Sequence, residues 1–160
     1  MKTLALLSAV MLVTLVGCAG SPTMSYQEKN AAYEQFISSN KLESLKRINT
    51  FRLYSWSSLT NDYLILSTSP RKKYLIEVMG YCPDLGFAQT IRINQSMSSQ
   101  LSARFDSISV IDGDAGSAQI KCHIKTIHKI DKAQAKQINA IGEPVDENEP
   151  KEENKATSAS

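Results

Sequence analysis

Two pairs of apolar runs, each pair joined by a short polar stretch, set the limits on this fold. Tyr63-Leu64-Ile65-Leu66-Ser67 is followed, across Ser69-Pro70-Arg71-Lys72, by Lys73-Tyr74-Leu75-Ile76-Glu77-Val78. Ser107 to Ile111 is followed, across Asp112-Gly113-Asp114-Ala115-Gly116, by Ala118 to Ile127. Antiparallel strands can be joined by so short a turn, whereas parallel strands need a crossover of about a dozen residues or more. With no β-α-β rhythm, the spacing predicts two hairpins in a mainly antiparallel sheet. Two further strands are expected. From Ile48 to Trp56, Ile48, Thr50, Arg52, Tyr54 and Trp56 alternate with Asn49, Phe51, Leu53 and Ser55, and Ala88 to Ile93 is a shorter run. Ser96 to Ser102 is polar and ambiguous. The sheet should have about five to six strands.

Ahead of the sheet the period changes. Ser25 with Glu28 three residues on is a capping-box pattern, and Tyr26, Tyr33, Phe36 and Ile37 recur at helical spacing. A helix from Tyr26 to Asn40, stopped by Ser38-Ser39-Asn40, is expected to pack on the sheet. The fold class is therefore α+β.

Charge divides the chain. The 160 residues carry 18 Lys and Arg against 16 Asp and Glu, a formal +2, which excludes a strongly basic nucleic-acid binder. Residues 18–142 hold 15 basic and 10 acidic side chains, whereas 143–160 hold two and six. That last stretch has no aromatic residue and too little apolar surface to offset its ordering entropy. Residues 26–132 are expected to form the globular domain, and 133–160 an acidic, largely disordered tail.

The N-terminus reads as an address. Met1-Lys2-Thr3 is a short positive head, and Leu4 to Val16 is an apolar run of 13 residues broken only by Ser8 and Thr14. Spanning a bilayer takes roughly 20 apolar residues, so this run is too short to cross and has the anatomy of a secretory leader. It ends in Leu15-Val16-Gly17-Cys18, which resembles a bacterial lipoprotein box. The resemblance implies a leader over 1–17, lipid on Cys18 and a lipidated tether over 18–25. Two or three acyl chains on one residue hold a protein stably at a membrane. Ala19-Gly20 follow the Cys and no Asp stands next to it, which implies export to the outer membrane, facing the periplasm.

With Cys18 consumed by lipid, Cys82 and Cys122 remain, 40 residues apart. In an oxidising compartment an even pair favours a disulfide; the alternative is two buried free thiols packed as small hydrophobes. No Cys-x-x-Cys is present.

Catalytic patterns are sparse. His123 and His128 are five apart, so on a regular strand they point to opposite faces and cannot share a metal without a bulge. Asp112-Gly113-Asp114-Ala115-Gly116 opens like a calcium loop, but His123 stands where the bidentate Glu is wanted. There is no Gly-x-Ser-x-Gly elbow and no phosphate-binding loop. Acid pairs could be drawn from Asp62, Glu77, Asp84 and Asp106, with nothing to select one. No cofactor or metal is implied.

Two surfaces stand out as candidates for a ligand. One is basic: Arg71, Lys72 and Lys73 on the first hairpin turn, with Lys121, Lys125 and Lys129 on one face of the last strand. It reads first as a solvated strand face with charged edge protection, and as a contact for an anionic envelope component in the alternative. The other is aromatic, Tyr54 and Trp56 with Tyr63 and Tyr74, which reads as core packing or as a stacking platform.

The segments Arg47-Ile48-Asn49-x-Phe51-Arg52-Leu53-Tyr54-Ser55-Trp56, Tyr81-Cys82-Pro83-Asp84-Leu85-Gly86-Phe87-Ala88, Arg104-Phe105-Asp106 and Cys122-x-Ile124 together resemble a family of small exported proteobacterial proteins. Many members are lipoproteins, and the domain has no known function. The resemblance covers residues 42–131 and implies pairing of Cys82 with Cys122. It implies no activity. The expected role is a membrane-anchored, non-catalytic envelope accessory or binding module, with an envelope protein or anionic component as partner. The alternatives are a small envelope hydrolase using acidic residues, or an inhibitor presenting the Ser69–Lys73 turn to an envelope-targeting enzyme.

Overall fold

Ser25 begins the first element as the sequence leads one to expect. In a computed structural model that describes residues 24–111 and 120–143, it caps α1 (Tyr26–Ser39). Its hydroxyl accepts the Glu28 N–H at 3.3 Å, and the Glu28 carboxylate accepts the Ser25 N–H at 2.7 Å. At the other end Asn40 donates its backbone N–H to the Phe36 carbonyl, and Lys41 takes a left-handed φ of 50° that turns the chain away. The leader, Cys18 and the first tether residues, the Asp112–Gly116 turn and the tail beyond Glu143 lie outside the described residues. None of the described helices is long and apolar enough to cross a membrane.

The strands are β1 (Arg47–Ile48), β2 (Ser55–Ser58), β3 (Tyr63–Ser69), β4 (Lys72–Val78), β5 (Ile91–Asn94), β6 (Leu101–Ser102), β7 (Ser107–Val110) and β8 (Cys122–Ile130). Six of them form one antiparallel sheet in the order β2-β3-β4-β8-β7-β5, and β1 pairs with β6 as a separate ribbon. The fold is α+β, and both expected strand pairs are neighbours. β3 and β4 pair over Tyr63↔Glu77 to Ser69↔Lys72, while β7 meets β8 only at Ser107↔His123 and Ile108↔Cys122. Beyond that contact, irregular segments occupy the β8 edge. Leu45 N–H donates to the Ile127 carbonyl at 2.8 Å and Arg104 N–H to the Ile124 carbonyl at 2.7 Å.

Three expectations need correction. The strand expected over Ile48–Trp56 is interrupted between β1 and β2. Ile48 and Phe51 are three apart yet both buried in one cluster, which a regular strand would send to opposite faces. Second, β8 carries a bulge: Glu77 faces Thr126 and Val78 faces Ile124, leaving Lys125 unmatched. One extra residue reverses the alternation beyond it. His123 and His128 therefore fall on the same sheet face, and Lys125 and Lys129 on different faces. Third, the folded part runs past residue 132. α2 (Lys132–Ala140) is capped by Asp131, whose carboxylate accepts the Gln134 N–H at 2.7 Å, and it buries Ala135 and Ile138.

The sheet separates two cores. On one side α1 and α2 lay Tyr33, Ala135 and Ile138 over Tyr63, Ile65, Leu75 and Ile130. On the other, Leu64, Leu66, Ile76, Val78, Ile108, Ile124 and Ile127 are covered by Ile48, Phe51, Leu85 and Leu101 from short or irregular segments. Cys82 and Cys122 are joined there by a disulfide, with Cα atoms 5.6 Å apart. The chain leaves β4 through a 3-10 turn at Leu85–Phe87, where the Tyr26 ring lies so close to Gly86 that a side chain there would collide with it.

Candidate functional site

Asp106 organises a concavity on the irregular face of the sheet. It is 1% exposed, and its carboxylate accepts three hydrogen bonds: the Ser96 N–H at 2.7 Å, the Ser96 hydroxyl at 2.6 Å and the Ser102 N–H at 2.6 Å. Hydrogen bonds to an ionised acceptor are among the stronger ones, so one buried side chain pins both ends of the 96–102 segment as an arch. Ser99 and Arg104 take left-handed φ values of 63° and 70° without being glycine, a conformation costing about 1–2 kcal/mol per residue. The β1–β6 ribbon and the Ala103 N–H to Lys46 carbonyl bond at 3.0 Å then bring the 44–47 segment alongside the arch.

Between the arch, the 44–47 segment and the β8 bulge lies a groove of about 740 Å³. Lys46, Arg47, Arg104 and Lys125 line it, and among the described residues no Asp or Glu does. Leu45, Met97, Ala103 and Phe105 supply apolar wall, with Phe105 76% and Met97 58% exposed. The side-chain oxygen of Gln100, also in the lining, is buried and has no hydrogen-bond partner. Of the cations, Lys125 is already committed: its Nζ lies 2.6 Å from Glu77, whose hydrogen bond and charge raise the Lys125 pKa above the ordinary lysine value. The groove is thus amphiphilic, with net positive charge.

A smaller recess of about 200 Å³ lies on the other side of Lys125, lined by Asn30, Glu34, Asp62, Tyr63 and Glu77 among others. Its acids are largely spoken for. Glu77 accepts from Lys125 and from the Thr126 hydroxyl at 3.0 Å, and Asp62 accepts from Asn30. The Tyr63 hydroxyl is buried without a hydrogen bond; Glu77 lies within reach of it but outside hydrogen-bonding geometry. Burial, then the charges of Glu77 and Glu34, push this phenol well above the usual tyrosine range. Tyr33 packs edge-on against it at 5.3 Å and is itself pushed up to about 12, chiefly by burial.

The groove is not where the sequence suggested looking. Arg71 and Lys72 are exposed on the β3–β4 turn, and Lys73 donates to the Ser67 hydroxyl at 3.2 Å; none of the three lines the groove. Tyr54 is 64% exposed, Trp56 is half-buried against the core, and Tyr63 and Tyr74 are core residues. Among the candidate acids, Asp62 and Glu77 meet at the recess, Asp84 precedes the 3-10 turn, and Asp106 is the support just described. His123 is exposed. His128 is buried, with Nδ1 3.2 Å from both the Leu42 and Glu43 carbonyls, so that nitrogen carries the hydrogen. Among the described residues no group of three or more His, Cys, Asp or Glu side chains is arranged to hold a metal. What sequence reasoning missed is the convergence of Lys46-Arg47 with Arg104, 57 positions later, although both segments had stood out in the family resemblance.

No curated protein and no solved structure matches the chain. One family model does, over residues 1–140, a longer stretch than the 42–131 that the motifs alone cover. The chain belongs to the family of unknown function DUF6491.

Proposed function

We propose that this protein is a lipid-anchored binding module of the bacterial envelope, and that the groove is where it binds. The leader ending in Leu15-Val16-Gly17-Cys18 supports cleavage before Cys18 and lipid attachment to it. Ala19-Gly20 support delivery to the outer membrane, with the domain facing the periplasm. The observation that carries the binding reading is the groove's composition among the described residues: four cations, no carboxylate and exposed apolar wall in one concavity of ligand size. Its complement is an anionic envelope component, and the role is accessory rather than catalytic. The hydrolase alternative gains little from the structure, because Glu77 and Asp62 meet only as acceptors already engaged by Lys125, Thr126 and Asn30.

A photo-crosslinking amino acid in place of Met97 tests the reading in intact cells. Ultraviolet irradiation should yield a discrete adduct that disappears when Arg47 and Arg104 are both changed to Glu. A domain that reaches its membrane but yields no adduct from Met97 or from Phe105 would overturn it. For the anchor, Cys18→Ala should abolish labelling by a fatty acid, and label persisting on that variant would sink the lipoprotein assignment.

A further inference from the structure

The groove joins two properties that seldom serve one simple ligand. A purely ionic polymer would satisfy Lys46, Arg47 and Arg104 and leave Phe105 and Met97 facing water at 76% and 58% exposure. A neutral apolar ligand would cover those side chains and strip water from the cations with nothing in exchange. The molecule that answers both is an anionic amphiphile. Charge complementarity is one-sided: among the described residues no Asp or Glu contributes to the lining, Glu77 is engaged with Lys125, and the buried Asp106 carboxylate is taken up by Ser96 and Ser102. Arg104 sits at a left-handed residue next to Phe105 and Asp106, and Asp106 fixes the arch that carries Met97. Arg104 and the apolar side chains therefore stand beside one braced arch, and the β1–β6 pairing holds Lys46 and Arg47 against it. The volume, about 740 Å³, lies in the range of small-ligand sites, ~300–1,000 Å³.

Resting on the reading of the groove as the binding site, we propose that its occupant is a single anionic phospholipid. The phosphate pairs with Lys46, Arg47 and Arg104, and one acyl chain lies along Met97 and Phe105. Arginine suits this role because its planar fork meets two phosphate oxygens at once.

The test is calorimetric titration of the full chain from residue 18, carrying Cys18→Ser to remain in solution. The probes are dioctanoylphosphatidylglycerol below its micelle concentration, dioctanoylphosphatidylcholine and glycerol 3-phosphate. Phosphatidylglycerol should bind one to one, and both other probes about tenfold or more weaker, because each lacks one half of the recognition. Arg47→Glu with Arg104→Glu should cost about tenfold or more with the thermal midpoint unchanged, both side chains being exposed. Phe105→Ser should weaken the phospholipid and leave glycerol 3-phosphate as it was. Equal binding of phosphatidylcholine would overturn the charge requirement, and equal binding of glycerol 3-phosphate would reduce the site to one for free phosphate. Binding that appears only when residues 144–160 are deleted would make the acidic end of this chain the native occupant and overturn the proposal. A Met97 adduct in cells that contains no phospholipid would leave the binding-module reading standing and sink this one.

Discussion

The two faces of the main sheet are closed by opposite strategies. On one face the cover is helical: α1 and α2 satisfy their own backbone groups internally and need only bury Tyr33, Ala135 and Ile138. On the other the cover is irregular, and its backbone groups are satisfied one at a time by distant partners. Phe51 N–H reaches the Ser99 carbonyl at 2.7 Å, Gly86 N–H reaches the Asn61 side chain at 2.9 Å, and Asp106 holds both ends of the arch. Buried backbone groups must be paired somewhere, so an irregular cover depends on dedicated polar side chains and gains from a covalent tie. It also leaves room between its segments, and the groove lies there rather than under the helices.

The tie is the sharpest place to break this contrast. Replacing Cys82 and Cys122 by Ala should cost about 2–5 kcal/mol, the usual loss for a native disulfide in a small domain. Chemical denaturation against the parent measures it. The irregular face should open first, so amide exchange at Phe51 and Gly86 should rise more than at α1. Uniform acceleration on both faces would refute the idea that they are closed independently.

How much of this was legible follows the same division. The helical face was readable where period and cap coincide: Ser25 with Glu28 located α1 to within one residue at its C-terminal end. α2 was overlooked despite an equally good Asp131–Gln134 box, because only Ala135 and Ile138 mark its buried side among polar neighbours, and that stripe is too thin to separate from the acidic stretch beyond. The β3–β4 pair was readable since two apolar runs flank a Ser-Pro turn. The irregular face was not. The spacing of Ile48 and Phe51 matches neither period, and the Lys125 bulge is set by the register with Glu77 and Val78, which no single strand's sequence contains. The groove depends on both and on contacts between residues 46 and 104, so none of it could be read from local pattern. The disulfide is the exception, because its partners were chosen by count and compartment.

Asp106→Asn is the next largest effect. It preserves volume but replaces a carboxylate oxygen by a donor, which then faces N–H or O–H groups. The expected loss is about 1–3 kcal/mol, the penalty for a buried hydrogen-bonding group left unmatched. Amide exchange at Ser96 and Ser102 should accelerate, and groove binding should fall although Asp106 does not line it. Normal binding in this variant would show that the arch is held by something else. On the helical face, Asp131→Ala should cost about 1 kcal/mol, the typical value of an N-cap. It should loosen α2 alone and leave the groove's affinity untouched.

The smallest effect separates the contributions near the sheet's midline. Lys125 is 53% exposed on its side chain, so Lys125→Met should change stability by no more than about 1 kcal/mol at neutral pH. Its pKa is raised in the folded state by Glu77. Its contribution is therefore fully present below the unfolded lysine value and is lost as pH rises through the folded one. Tyr63 acts in the same direction, and so does Tyr33. Its phenol is pushed up to about 12 from 10.0, so above pH 10 the unfolded chain gives up a proton that the folded chain keeps, and stability declines toward pH 12. The buried phenols and the exposed ammonium can be told apart by denaturation at pH 9 and pH 11.5. Tyr33→Phe should remove its share of the decline and leave that of Tyr63, since desolvation at a buried position is the larger cause, whereas Lys125→Met should flatten it only slightly. If Lys125→Met had the greater effect, the exposed ion pair rather than the helix-covered core would govern alkaline stability, and the assignment of that sensitivity to the helical face would fail.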